Sequence, residues 1–212
     1  MVMEWWQAIA LAIIQGLAEF LPISSSGHLV LVPRLLGWQD QGLAFDVAVH
    51  VGTLLAVVLY FRKDFVPLVS GLFRFLGGAR DDRYGRMAFN LGIGTIPVGL
   101  AGLLFSDVIE ANLRSPFIVA FQLAVFGIVL YLVDRFGRRN RQETDLSIGK
   151  ALLIGIGQAL ALVPGTSRSG ITMTVALALG LTREAAARFA FLLSVPGIAL
   201  AIIKDGVVLA AK

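Results

Sequence analysis

Gln15, Glu19, Ser24, Ser25, Ser26 and His28 crowd a carboxylate, an imidazole and three consecutive hydroxyls into one short apolar stretch. That set of groups is what proton transfer and nucleophilic attack require. Gln15 and Glu19 are four apart, so on a helix they share a face and can close on one ligand. Pro22 ends that helix. The run Ser24-Ser25-Ser26-Gly27 then supplies hydroxyls and backbone N–H groups where the next helix begins, a position that favours anions. His28 falls in the first turn of that helix. The plainer role for these residues is a capped helix whose Glu–His pair holds two helices together.

A second polar island, Pro164-Gly-Thr-Ser-Arg-Ser-Gly170, lies far down the chain in equally apolar surroundings. Gly165 and Gly170 give pliable backbone, Thr166, Ser167 and Ser169 give hydroxyls, and Arg168 gives one guanidinium at another helix start. This combination reads as a phosphate grip. Arg is planar and permanently charged, and in lipid it is costly without an anionic partner. The plainer role is close helix packing through small residues, with Arg168 paired to Glu19. Asp46 and His50, also four apart, either face the same cavity or cap and pair near the outer surface, and the second role is favoured. Arg183, Glu184 and Arg188 read as an ordinary polar helix start, and Lys204 and Asp205 as interfacial residues.

The elements that must position these groups lie in a bilayer. The 212 residues are 57% hydrophobic and only 15% charged, with a mean hydropathy of +0.82, whereas soluble domains are about a quarter charged. Apolar runs near membrane-spanning length recur at Leu43 to Phe61, Met87 to Phe105, Phe117 to Val133, Ile148 to Val163 and Ala186 to Ile203. They lack the period of two of a transmembrane barrel. An ionisable group at that depth costs roughly 2.5–3.5 kcal/mol, so Glu19, His28 and Arg168 call for a functional reason. The absence of Cys excludes disulfides, thiolate metal sites and a cysteine nucleophile. No basic region or cleavage site marks the start, so a removable signal peptide is not expected.

The net charge of +4 reflects orientation in the membrane rather than nucleic-acid binding. Arg62, Lys63, Arg74, Arg80, Arg83 and Arg86 share one loop region, and Arg135, Arg138, Arg139, Arg141 and Lys150 share another. The intervening loop, Ser106 to Pro116, holds only Arg114. By the positive-inside rule the rich loops are cytoplasmic and the poor one faces outward. Trp5 to Leu36 is too long and too broken for a simple span, so it is expected to form a re-entrant helix pair, and Val163 to Leu181 to repeat the arrangement. Gln15, Pro22, Ser25 and Gly27 answer crudely to Gln158, Pro164, Ser167 and Gly170, with shifts of a residue or so. The expected fold is therefore an all-α polytopic membrane protein, an inverted-repeat helical bundle with two re-entrant helix pairs around a midplane site. Residues 1–212 form a single membrane domain, with one repeat half over about 1–105 and the other over about 117–212. Val66 to Leu76 reads as an interfacial amphipathic helix.

At these residues the chain resembles the undecaprenyl-diphosphate phosphatase, or bacitracin-resistance protein, family. The signatures read here as Gln15-Gly-Leu-Ala-Glu19, Pro22-Ile-Ser-Ser-Ser-Gly-His28 and Pro164-Gly-Thr-Ser-Arg-Ser-Gly170, and the likeness runs from about Glu4 to Ile203. The resemblance implies hydrolysis of undecaprenyl diphosphate to the monophosphate carrier of cell-wall precursors, with a divalent cation, Mg²⁺ or Ca²⁺, as cofactor. It implies bacitracin as a competitor for the same lipid. It also places the protein in the bacterial plasma (inner) membrane with an outward-facing active site. Charge-based topology suggests the same side, with both re-entrant segments opening toward the arginine-poor face. Carried over residue by residue, Glu19, Ser25, His28 and Arg168 would be catalytic, and Gln15 with Glu19 would take the metal. Ser24, Ser26, Gly27, Thr166, Ser167 and Ser169 would bind substrate. Ser25 is the favoured nucleophile with His28 or Glu19 as base, and water or His28 as nucleophile stays open. The chain stops at Lys212, about two spans short of the family pattern, which would leave the second repeat incomplete. A transporter or lipid-carrier flippase is the competing function, since broken helices also build transport sites, and a structural scaffold is the third. Whether two chains pair as a homodimer is left open by the sequence.

Overall fold

The computed structural model describes residues 3–210, and Lys212 lies outside them. Among the described residues the chain forms nine α-helices and no strand, so backbone polar groups are satisfied within each segment, as lipid requires. They are α1 (Trp5–Phe20), α2 (Ser25–Leu36), α3 (Leu43–Tyr60), α4 (Arg62–Leu76), α5 (Arg83–Asn112), α6 (Pro116–Phe136), α7 (Ile148–Ala159), α8 (Arg168–Ala178) and α9 (Arg183–Ala210). Four of them, α3, α5, α6 and α9, are long and apolar enough to cross a membrane. The protein is an all-α polytopic membrane protein.

The helices that carry the polar islands are shorter. At 1.5 Å per residue α1 reaches about 24 Å, α2 and α7 about 18 Å and α8 about 17 Å, against a hydrocarbon core of about 30 Å. They turn back. Trp6 and Trp38 touch edge to face with ring centroids 5.1 Å apart, so the α1–α2 pair has its base where α3 begins. The α7–α8 pair has its base at the other end: Gly180 carbonyl, just past α8, accepts from the N–H groups of Asn140 and Arg141 in the arginine-rich loop at 3.1 and 3.0 Å. The expectation that both pairs open toward the arginine-poor face is therefore corrected. The segment that follows the arginine-rich loop returns to it before α9 starts, so its hairpin must enter from that end.

A buried apolar cluster in the arginine-rich half locks the bundle, with Phe189, Leu192 and Leu193 of α9 against Ile154 of α7 and Met87 and Leu91 of α5. The crossing of α5 and α7 depends on two glycines. A Cβ on Gly155 would lie 2.3 Å from Gly94 carbonyl oxygen. Such small-residue contacts let backbones approach without a hydrophobic drive between helices in lipid. Arg188, read from sequence as part of an ordinary helix start, pairs with Asp64 of α4 and with Glu143, the latter at 3.3 Å. The segment expected to be an interfacial helix, Val66 to Leu76, lies within α4, whose Gly71 packs directly on Gly85 of α5.

Candidate active site

Glu19 stands in the last turn of α1, before Pro22 diverts the chain. Its Oε2 accepts hydrogen bonds from Ser25 Oγ at 2.5 Å and from Gln15 Nε2 at 3.0 Å. The hydroxyl proton of Ser25 is thus directed at a carboxylate, the arrangement that activates a nucleophile. Gln15 is fully buried, and its Oε1 has no hydrogen-bond partner.

Between Glu19 and Ser25 the backbone makes an unusual turn. Ser24 has φ +64°, the one positive φ outside glycine among the described residues. Such strain persists where surrounding contacts over-determine it. Here Ser24 caps α2: its Oγ accepts from Gly27 N–H at 3.3 Å. Ser167 caps α8 in the same way, accepting from Gly170 N–H at 3.1 Å. In both tips the capping hydroxyl also meets the serine two residues on, Ser24 to Ser26 at 3.4 Å and Ser167 to Ser169 at 3.2 Å. The register between the hairpins is then free of gaps: Gln15, Ser24, Ser26 and Gly27 answer to Gln158, Ser167, Ser169 and Gly170. Ser25 answers to Arg168, which corrects the cruder sequence match of Ser25 with Ser167. The tips are in contact. Ser169 Oγ donates to Leu21 carbonyl at 3.3 Å, and a Cβ on Gly27 would lie 3.4 Å from Gly165 Cα.

A narrow polar cleft of about 40 Å³ opens where the tips meet. Glu19, Ser24, Ser25, Ser26, Thr166, Ser167, Arg168 and Ser169 all line it, so eight residues singled out in sequence converge on one space. Arg168 Nη1 and Thr166 Oγ1 are buried without hydrogen-bond partners. Two buried donor atoms without hydrogen bonds, beside helix N-termini, are the groups that an anion in the cleft would satisfy.

Gln15, Gly27 and His28 are not among the lining residues. Gln15 braces Glu19 from behind, and Gly27 spends its N–H on Ser24. His28 Nδ1 donates to Ser24 carbonyl at 2.8 Å. The imidazole that lines the cleft belongs to His50, on α3, with Nε2 3.8 Å from Glu19 Oε2. Sequence reasoning favoured a capping role for His50. Its spacing to Asp46 was a usable signal, but nothing local says that α3 passes the first hairpin tip.

Beside the cleft lies a largely apolar groove of about 630 Å³ between α3, α5 and α9. It runs from Pro164 and Arg168 toward Ser106, Ile109 and Arg114 at the arginine-poor end, passing Leu100, Leu103 and Leu200. Its volume is that of a site for a substantial organic ligand. A polar cleft joined to an apolar groove at membrane depth fits an amphiphile with an anionic head.

Comparison with known proteins agrees with this shape. Residues 8–212 match the family model described as Bacitracin resistance protein BacA. The chain belongs to this family. It is similar to the undecaprenyl-diphosphatase of Thioalkalivibrio sulfidiphilus (strain HL-EbGR7), 52% identical over 199 residues that cover 94% of this chain and 75% of the relative. It is 53% identical over 208 residues to the undecaprenyl-diphosphatase of Hahella chejuensis (strain KCTC 2396), covering 98% and 78%. With the undecaprenyl-diphosphatase 2 of Stutzerimonas stutzeri (strain A1501) it shares 55% identity over 204 residues, 94% and 75% of the two chains.

The donor set bears on a cation in this BacA-family chain. The described residues contain no group of three His, Asp or Glu side chains able to hold a metal. Glu19 is the carboxylate that lines the cleft, and both its hydrogen bonds fall on Oε2. Mg²⁺ is commonly held by one or two carboxylates together with substrate phosphates, whereas Ca²⁺ takes about six to eight oxygens. Glu19, with the unpartnered Oε1 of Gln15 behind it, fits a Mg²⁺ ion shared with a diphosphate better than a cage built by protein alone.

Proposed function

We propose that this chain hydrolyses undecaprenyl diphosphate to undecaprenyl phosphate and inorganic phosphate. It thereby recycles the lipid carrier of cell-wall synthesis and counters bacitracin, which competes for the same lipid substrate. The observation that carries this reading is the Ser25 hydroxyl held on Glu19 at 2.5 Å, in a cleft where Arg168 Nη1 is buried without a hydrogen-bond partner, beside an apolar groove.

The prenyl chain lies in the groove and the terminal phosphate in the cleft. Ser25 Oγ attacks the terminal phosphorus, its proton passes to Glu19, and the bond from phosphorus to the bridging oxygen breaks. The lipid monophosphate leaves with that oxygen and takes the proton from Glu19. Glu19, ionised again, accepts a proton from the water that attacks the phosphoserine phosphorus; the bond from phosphorus to Ser25 Oγ breaks, inorganic phosphate leaves, and the proton passes from Glu19 to Oγ. Arg168, Thr166 and the helix N-termini stabilise charge on the transferring group, which is the main catalytic demand of phosphoryl transfer. A divalent cation held by Glu19, whose carboxylate Gln15 braces from behind, would add neutralising charge on the diphosphate. The protein resides in the bacterial inner membrane with the cleft reached from outside, a reading supported by the groove's course toward the arginine-poor end.

The test is phosphate release from a prenyl diphosphate by the chain in detergent. Release by wild type, lost in Glu19→Ala and in Arg168→Ala, supports the reading. Lipid flux without hydrolysis would favour a transporter. A phosphoenzyme trapped on His28 instead of Ser25 would overturn the nucleophile assignment.

A further inference from the structure

The cleft and the groove share three lining residues: Ser26, His50 and Arg168. They form a neck. Any molecule with its apolar chain in the groove and its terminal phosphate beside Ser25 must pass its lipid-side phosphate through this ring. Arg168 comes from the second hairpin and Ser26 from the first, whereas His50 is supplied by a different element, the spanning helix α3.

His50 is fixed for a contact there. Its Nδ1 lies 2.7 Å from Asp46 carbonyl oxygen, and a carbonyl only accepts, so Nδ1 is the donor and the ring orientation is set by its own helix. Nε2 lies on the side of the cleft and neck, and it donates to a phosphate oxygen when the ring binds the anion as the imidazolium, in which both nitrogens carry N–H. Glu19 Oε2, 3.8 Å away, is beyond hydrogen-bond distance, so Nε2 has no bond to the carboxylate that would occupy it. Asp46 is itself turned aside by Gln41 Nε2, which donates to its Oδ1 at 2.8 Å.

We propose that His50 is a specificity-determining residue that hydrogen-bonds the phosphate attached to the lipid, the group that leaves, and so distinguishes a lipid diphosphate or monophosphate from free inorganic phosphate. The proposal rests on the phosphatase reading of the cleft. It assigns the two ends of the diphosphate to different residues. The terminal phosphate meets Ser25, Thr166 and Ser167 deep in the cleft; the lipid-side phosphate meets His50 at the neck.

The test compares product inhibition in wild type, His50→Leu and His50→Gln, with a prenyl diphosphate as substrate. A lipid monophosphate should inhibit His50→Leu about tenfold more weakly than wild type, the worth of one hydrogen bond to a charged group, and KM should rise in parallel. Inorganic phosphate should inhibit all three equally. His50→Gln, which retains an N–H donor of similar reach, should stay within about threefold of wild type. Unchanged inhibition of His50→Leu by the lipid monophosphate, or weakened inhibition by inorganic phosphate, overturns the proposal. Should His50→Leu fail to fold, Ser26→Ala and His50→Gln carry the comparison: the neck predicts a selective loss of lipid-monophosphate affinity in Ser26→Ala, and equal loss toward both phosphates refutes it. Absence of hydrolysis by wild type is a separate outcome, and it removes the phosphatase reading itself.

Discussion

Ser25 and Arg168 occupy the same position in two helices that meet tip to tip: each is the residue directly after a capping serine whose Oγ holds the N–H of a glycine three residues along the chain. One hairpin tip thus presents a hydroxyl and its counterpart presents a guanidinium. Because the tips approach from opposite ends of the molecule, the hydroxyl and the guanidinium reach one cleft from opposing sides.

That placement makes the shape of the Arg168 side chain matter as well as its charge. A planar guanidinium presents a fork of N–H groups, whereas an ammonium is a point charge. Arg168→Lys is therefore expected to lower kcat by about 10²-fold or more, in the range seen when one transition-state donor is lost. Phosphate release from a prenyl diphosphate measures it. Near-normal kcat in the lysine variant would mean that charge alone suffices.

Thr166 separates stability from binding. Its hydroxyl is buried, lines the cleft and has no hydrogen-bond partner, a state that costs about 1–3 kcal/mol. Replacing it by the near-isosteric Val removes that cost. Thr166→Val should leave thermal stability in detergent unchanged or raised by about 1 kcal/mol, while KM for the lipid diphosphate increases several-fold. A variant that loses stability and keeps KM would show that the hydroxyl serves the fold and not the ligand.

How far the sequence reached is seen in these same residues. Four of the five expected spans were legible because apolar length is a direct physical demand of lipid, and α3 begins at Leu43 as its pattern indicates; the fifth run, Ile148 to Val163, forms the shorter α7 and a following 3-10 turn instead. The polar islands were legible because each charge at that depth is costly. Their side of entry was not, since a hairpin carries no local signal of the end to which it returns. For His50 the sequence favours capping over the cavity for a related reason. Its neighbours in sequence offer a capping role, and only the packing of α3 against the first hairpin brings Nε2 near Glu19. His28 drew attention through the motif, yet its Nδ1 is engaged by its own helix at Ser24 carbonyl.

The crossing of α5 and α7 gives a prediction remote from the cleft. A Cβ on Gly155 would sit 2.3 Å from the carbonyl oxygen of Gly94 and 2.9 Å from its Cα, so backbone and not a flexible side chain must yield. Gly155→Ala should destabilise the bundle by several kcal/mol, about the upper range of overpacking, despite the better helix propensity of Ala. Gly149, with open space around it, is the control: Gly149→Ala should be neutral or slightly stabilising. Equal thermal stability of the two variants in detergent would contradict the close crossing.

At the arginine-rich end, Asp82 connects α4 to the start of α5. Arg74 Nε donates to its Oδ2 at 2.7 Å and Gly85 N–H donates to its Oδ1 at 2.7 Å. The Arg74 hydrogen bond first, and the Gly85 N–H second, hold the Asp82 carboxyl below its ordinary value. A group whose folded value is depressed contributes stability that is present above its unfolded value, about 3.9, and lost as pH falls through the folded one. Asp82→Asn should therefore lower thermal stability at pH 7 and converge with wild type below about pH 4, where the carboxyl of the unfolded chain is protonated. Arg74→Ala should reproduce part of the effect. Because the pair is exposed, added salt should reduce the wild-type advantage at pH 7, and a difference that persists unchanged in acid would assign the loss to packing of the Asp82 cap and not to its charge.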